Sequence, residues 1–282
     1  VEVVQTVRLA LCSFLPRETN TDVTENAFKL AFMAYKQRER GTSDPTTSEM
    51  DSSMLNQSPG SPALSVLSFK SGFHGRLFGS LSATRSKAIH KVDIPAFDWP
   101  CAPFPDRRYP LEENKEFNDK EEKRCLEEYE QILIESYVLL VETNLRIELM
   151  SSKTTRPVAA VIIEPVLAEG GDKHASNAYF RQLRLIAKKH GAFFIVDEVQ
   201  TGVGATGKFW AHEHWGLQTG EEPDFVTFSK KMQASGIYHK KDLRPLQSYR
   251  IYGTWMVCPL LLVNDRELIN REIQSERYKL EK

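Results

Sequence analysis

Apolar residues run almost unbroken through three short stretches in the second half of the chain: "VAAVIIEP" (Val158–Pro165), "AFFIVDE" (Ala192–Glu198) and "DFVTFSK" (Asp224–Lys230). A strand with one face in water alternates apolar and polar side chains, so an unbroken run implies burial on both faces. Between the first two lies "NAYFRQLRLIAKKHG" (Asn177–Gly191), spaced as an amphipathic helix with basic residues in its last turn and glycine at its end. Such strands separated by helices predict an α/β fold with a mostly parallel sheet and helices on both faces.

The first half is less regular. Phe28, Ala31, Phe32 and Tyr35 share one face of a helix predicted over Thr24–Arg40, with Thr21, Asp22 and Thr24 as candidate N-caps. Residues 41–62 are polar and rich in turn formers, and predict a surface loop. "ALSVLSFKSGFHGR" predicts a short strand and a turn, and "IPAFDWPCAPFPDRRYP" an extended segment punctuated by proline. Residues 114–135 predict a charged helix with a solvated face.

Composition changes this picture mainly by exclusion. A net charge of -1 over 282 residues provides no general basic surface for nucleic acid or membrane headgroups. No apolar run approaches membrane-spanning length. The four cysteines (Cys12, Cys101, Cys125 and Cys258) are scattered without a CxxC, which suits a reducing compartment and argues against structural zinc. The chain begins at Val1, so a preceding portion, with any targeting peptide, is expected.

The carboxyl ends of parallel strands are where ligands of such sheets sit, and here they present Glu164, Asp197 and Lys230. Gly202-x-x-x-x-Gly207-Lys208 imitates a phosphate-binding loop, but Phe209 stands where magnesium needs a hydroxyl, and the acidic pair precedes the glycines. His212 and His214 are two residues apart and do not share a helix face as a metal pair would. An acid and a lysine at neighbouring strand ends fit pyridoxal phosphate. The lysine amine condenses with its aldehyde, and the carboxylate faces its pyridine nitrogen. "NTDVTENAFKLA" (Asn20–Ala31), small polar residues running into a helix, is a candidate phosphate cradle.

With these residues in view, the chain resembles the class-III, fold-type I pyridoxal-phosphate-dependent aminotransferases, and within them the animal mitochondrial subfamily acting on 4-aminobutyrate. The matching stretches are "FHGR", "SKAIHKVDIPAFDWP", "IIEPVLAEGGDKHAS", "KHGAFFIVDEVQTGVGATGKFWAHEHWGL", "FSKKM" and "YRIYGTW". The resemblance implies that Asp197 faces the pyridine nitrogen, Gln200 the phenolic oxygen, and that Phe73 stacks on the ring. It assigns Lys230 to the cofactor's aldehyde and to proton transfer; spacing alone does not choose between Lys230 and Lys231. Asn20 and Thr21, with Thr254 from the other subunit of a homodimer, are implied to hold the phosphate. Arg76 is implied to clamp the carboxylate of 4-aminobutyrate. Glu169 is implied to pair with an arginine near the family's C-terminus, the switch that admits 2-oxoglutarate to the same pocket. The implied products are succinate semialdehyde and glutamate, and the implied location is the mitochondrial matrix.

Departures from the pattern set further expectations. Thr19 and Asp22 replace the cysteines of an iron–sulfur motif found in some animal members, so no metal is expected. Asn20 replaces the usual glycine of the phosphate loop. Residues 1–18 are an atypical N-terminal segment, residues 19–258 the cofactor-binding large domain, and residues 259–282 a truncated start of the C-terminal region, with the small domain largely missing. Two alternatives follow. One is an inactive truncated form that binds cofactor or dimerises without turnover; the other is a neighbouring ω-amino acid aminotransferase, such as one acting on the side-chain amine of lysine.

Overall fold

In the computed structural model, which describes residues 19–145, 156–232, 235–248 and 250–251, the apolar runs become adjacent strands of one sheet. The helices are α1 (Thr19–Arg40), α2 (Thr47–Met54), α3 (Phe78–Ala83), α4 (Lys115–Leu145) and α5 (Asn177–Lys189). The strands are β1 (Ser65–Phe69), β2 (Cys101–Ala102), β3 (Val158–Ile163), β4 (Phe193–Asp197), β5 (Phe225–Phe228) and β6 (Gly236–His239). Their order across the sheet is β2-β1-β3-β4-β5-β6, with every neighbouring pair parallel except β5–β6.

All residues of β1, β3 and β4 are buried, and the period of two divides them between two cores. Leu67, Phe69, Val161, Ile163, Phe194 and Val196 pack with Tyr129 of α4 and with Tyr179 and Leu183 of α5. Val66, Ala160, Ile162, Phe193 and Ile195 pack on the other side with Val23, Ala27, Leu30 and Ala31 of α1. The charged face of α4 is solvated as expected, and its Cys125, Tyr129 and Leu133 form the buried stripe.

At the amino end of β5, Asp224 joins several elements. Its carboxylate accepts two bonds from the Arg184 guanidinium (3.0 and 3.1 Å), one from Lys240 (2.7 Å) and one from the Phe194 amide (2.9 Å). This buried pair ties α5 to the sheet at the opposite end of β5 from Lys230. It is structural.

Two expectations need correction, and one strand was not foreseen. Thr21, Asp22 and Thr24 lie inside α1 rather than at its N-cap. Val23 carries the stripe of Ala27, Leu30 and Ala31 back by one turn, and that packing outweighs the weak helix propensity of Thr and Asp. Residues 41–62 are largely exposed, as expected, but contain α2. Thr46 accepts the Glu49 amide at 3.2 Å while the Glu49 carboxylate accepts the Thr46 amide at 2.9 Å, a capping box whose Thr-x-x-Glu signature is hidden among the turn formers. Finally, β6 has no apolar run to announce it. Its Gly236 lies opposite Phe228, and a Cβ there would come within 2.4 Å of that ring, so the antiparallel pairing needs glycine.

Glu49 also takes two bonds from the Arg40 guanidinium, at 2.9 and 3.0 Å. First Arg40, then the Thr46 amide, lower its pKa from 4.5 to about 2. A carboxyl depressed on folding stabilises the protein above its unfolded pKa, and that contribution is lost as pH falls through the folded one. Glu49→Gln is therefore expected to cost about 0.5–1 kcal/mol at neutral pH. The difference in melting temperature from the wild type should close between pH 4.5 and about 2. Thermal unfolding of both proteins across that window checks it.

Candidate active site

The carboxyl ends of β1, β3, β4 and β5 lie side by side, so the residues that leave them meet although they are far apart in sequence. Asp197 is the last residue of β4, opposite Thr227 of β5. It is 4 % exposed, and its Oδ1 accepts the Val199 amide and the Thr227 hydroxyl, each at 3.2 Å. Its Oδ2 lies 2.9 Å from Nδ1 of His74, which is itself buried.

Glu164, just past β3, is buried beside it. Its Oε2 accepts the Phe73 amide at 2.7 Å. Burial above all, then the charge of Asp197, push its carboxyl well above the usual range, against the Phe73 amide and the Lys230 ammonium.

Lys230 opens a 3-10 turn, Lys230–Met232, directly after β5. Its φ of 34° lies in the left-handed region that non-glycine residues seldom enter, strain of a kind found at functional sites. Its ammonium donates to the side-chain oxygen of Gln200. Lys231 follows it in the same turn and is exposed.

Phe73 is half-buried on the loop after β1. The Arg76 guanidinium stands 5.0 Å from its ring, and the His90 ring meets it edge-on at 5.5 Å. Arg76 is exposed, with Nη2 3.5 Å from His90 Nε2. Glu169, on the loop after β3, pairs with Lys87 at 2.6 Å and lies 4.0 Å from His90. The Lys87 ammonium holds its carboxyl below the usual range.

The structure therefore gathers Phe73, Arg76, Glu169, Asp197, Gln200 and Lys230 around the strand ends. Asn20 and Thr21 are in the first turn of α1, and Thr254 lies outside the described residues, as do 1–18 and 259–282. Sequence reasoning assigned no role to His74, Lys87 or His90. His74 stands next to Phe73 in "FHGR", but only the topology brings it to Asp197, 123 residues away.

The phosphate-loop imitation is a turn around a buried glycine. A Cβ on Gly202 would meet the Glu198 carbonyl and the Trp210 ring at 2.8 Å, while Lys208 is exposed and donates to the Glu213 carbonyl. His212 sits 2.9 Å from Glu198 and His214 3.1 Å from the Thr206 carbonyl, so the two rings engage different partners.

A sheet of this order, with an acid and a lysine at adjoining strand ends, is the large domain of a fold-type I pyridoxal-phosphate-dependent aminotransferase. The family model of class-III aminotransferases matches residues 13–270, and the chain belongs to that family. It is 54 % identical over 263 residues to the 4-aminobutyrate aminotransferase of Emericella nidulans, covering 92 % of this chain and 48 % of that protein. To the mitochondrial 4-aminobutyrate aminotransferase of Sus scrofa it is 48 % identical over 280 residues, covering 95 % and 53 %. Among solved structures, the lysine aminotransferase from M. tuberculosis is similar with a TM-score of 0.67 at 26 % identity, over 92 % of this chain and 52 % of that one. The chain thus spans about half the length of the relatives it matches.

The residues present fit pyridoxal phosphate at its ring and aldehyde ends. Asp197 is a buried carboxylate held by a hydroxyl and an amide, and Lys230 places a primary amine beside Gln200, with Phe73 on the neighbouring loop.

Proposed function

We propose that the chain is the cofactor-binding part of a pyridoxal-phosphate-dependent aminotransferase that moves the amino group of 4-aminobutyrate to 2-oxoglutarate, giving succinate semialdehyde and glutamate. The observation that carries this is the convergence of Asp197 and Lys230 on adjoining strand ends, with Lys230 bonded to Gln200. When bound, pyridoxal phosphate supplies an aldehyde for the amine and a ring that draws electrons from the substrate carbon.

The chain's own residues do the rest. Asp197 keeps a proton on the pyridine nitrogen, and its bonds to Thr227 and Val199, with His74 alongside, hold its carboxylate in place. Lys230 Nζ carries the proton to and from the substrate carbon. Gln200 orients the phenolic oxygen, and Phe73 covers the ring. Asn20 and Thr21, with Thr254 from the other subunit, would hold the phosphate. Arg76 takes the substrate carboxylate from its place above Phe73. Glu169 is held by Lys87, and trading partners would release or engage cationic groups as the substrate changes from one carboxylate to two.

A homodimer is part of the proposal, and exposed Leu77, Phe78, Ile89, Val92, Ile94 and Phe97 provide apolar surface for it. Location in the mitochondrial matrix follows the mitochondrial relatives. The identity of 48–54 % to 4-aminobutyrate aminotransferases, against 26 % to the lysine enzyme, favours 4-aminobutyrate as the donor. Incubation with pyridoxal phosphate, 2-oxoglutarate and either amine tests this. Glutamate and succinate semialdehyde should form with 4-aminobutyrate; glutamate formed only with lysine would overturn the substrate assignment.

A further inference from the structure

Two consecutive residues of the loop after β1 are tied to two different strands. The Phe73 amide donates to Glu164 past β3, and His74 Nδ1 lies beside Asp197 at the end of β4. The His74 amide donates to the Thr84 hydroxyl at 2.9 Å, and that hydroxyl donates to the Gly75 carbonyl at 2.9 Å, closing the loop on a third side. The loops after β1 and β3 also touch backbone to backbone. A Cβ on Gly170 would lie 2.1 Å from the Ser71 carbonyl oxygen. Ser71 and Phe73 are thus both registered against the segment that follows β3.

We propose that Glu164 is a positioning residue, which sets where the Phe73 ring and the Arg76 guanidinium above it stand over the pocket of Asp197 and Lys230. This rests on the reading of Phe73 as the residue that covers the cofactor ring. A hydrogen bond to a backbone amide fixes the chain at the root of the side chain, and a small displacement there moves both ring and guanidinium. A glutamine keeps an acceptor oxygen for the Phe73 amide and an alanine provides none.

The test combines amide exchange with cofactor titration of the whole chain. Without cofactor, Glu164→Ala should speed exchange of the Phe73 amide, and Glu164→Gln should restore protection. With pyridoxal phosphate, Glu164→Ala should weaken retention about tenfold, and Glu164→Gln by no more than about twofold. Because Glu164 acts through Phe73, adding Glu164→Ala to Phe73→Leu should cause little further loss. A loss of the same size in both backgrounds, or unchanged exchange of the Phe73 amide, overturns the positioning role alone. Failure of the wild type to retain the cofactor overturns the proposed function and this role together. Should Glu164→Ala not fold, Glu164→Met keeps the volume without the acceptor and takes its place with the same expectations.

Discussion

Lys230→Ala is expected to abolish the visible absorbance of bound pyridoxal phosphate and to lower turnover by at least on the order of 10²–10⁴-fold. In the proposed function the amine has two uses, as the group that would hold the cofactor's aldehyde and as the proton carrier, and alanine removes both. Lys231 offers no simple rescue. Lys230 is the residue that reaches Gln200, and it does so from a turn with φ of 34°, whereas Lys231 leaves that turn one residue later. The effect on folding should be small, because the side chain is exposed. Circular dichroism and thermal unfolding of the variant separate loss of chemistry from loss of fold.

The second large effect is at Asp197, where function and stability are joined. Asp197→Ala leaves the Thr227 hydroxyl, the Val199 amide and the buried His74 ring without their acceptor. Leaving buried donors without an acceptor costs about 1–3 kcal/mol, so the variant should unfold at lower denaturant concentration. Asp197→Asn keeps an acceptor oxygen and should recover much of that stability. It should not recover activity, because a neutral amide does not hold a proton on the pyridine nitrogen. Cofactor should still be retained through Lys230 in Asp197→Asn. Turnover near the wild-type rate in that variant would remove Asp197 from the mechanism.

The contrast between these two residues also shows what a single sequence discloses. β3 and β4 were legible because strands buried on both faces contain little besides apolar residues, and α5 because its buried stripe is narrow and regular. Asp197 and Lys230 were legible for the same reason, since each interrupts the end of such a run. β6 was not, because its pairing depends on a small residue opposite Phe228 and not on a pattern of its own. Nor was the packing of Gly170 on Ser71 legible, since it joins loops a hundred residues apart. His74 belongs to this class too. Its importance lies in what the topology sets beside it, and no local spacing encodes that.

Electrostatics adds a further distinction among the acids. Glu164 and Asp197 follow neighbouring strands and are both buried, yet Asp197 accepts a hydroxyl, an amide and faces a histidine, while Glu164 accepts the Phe73 amide. Burial above all, then the charge of Asp197, push the Glu164 carboxyl up. On the proposed reading the two carboxyls serve different purposes: Asp197 faces the pyridine nitrogen, and Glu164 holds the backbone of Phe73.

The most direct test of the account is the absorbance spectrum of the purified chain titrated with pyridoxal phosphate, beside that of Lys230→Ala, before and after 4-aminobutyrate. The wild type should show a visible band that Lys230→Ala lacks and that 4-aminobutyrate discharges. A band of equal strength in both proteins, or none in the wild type, would contradict it.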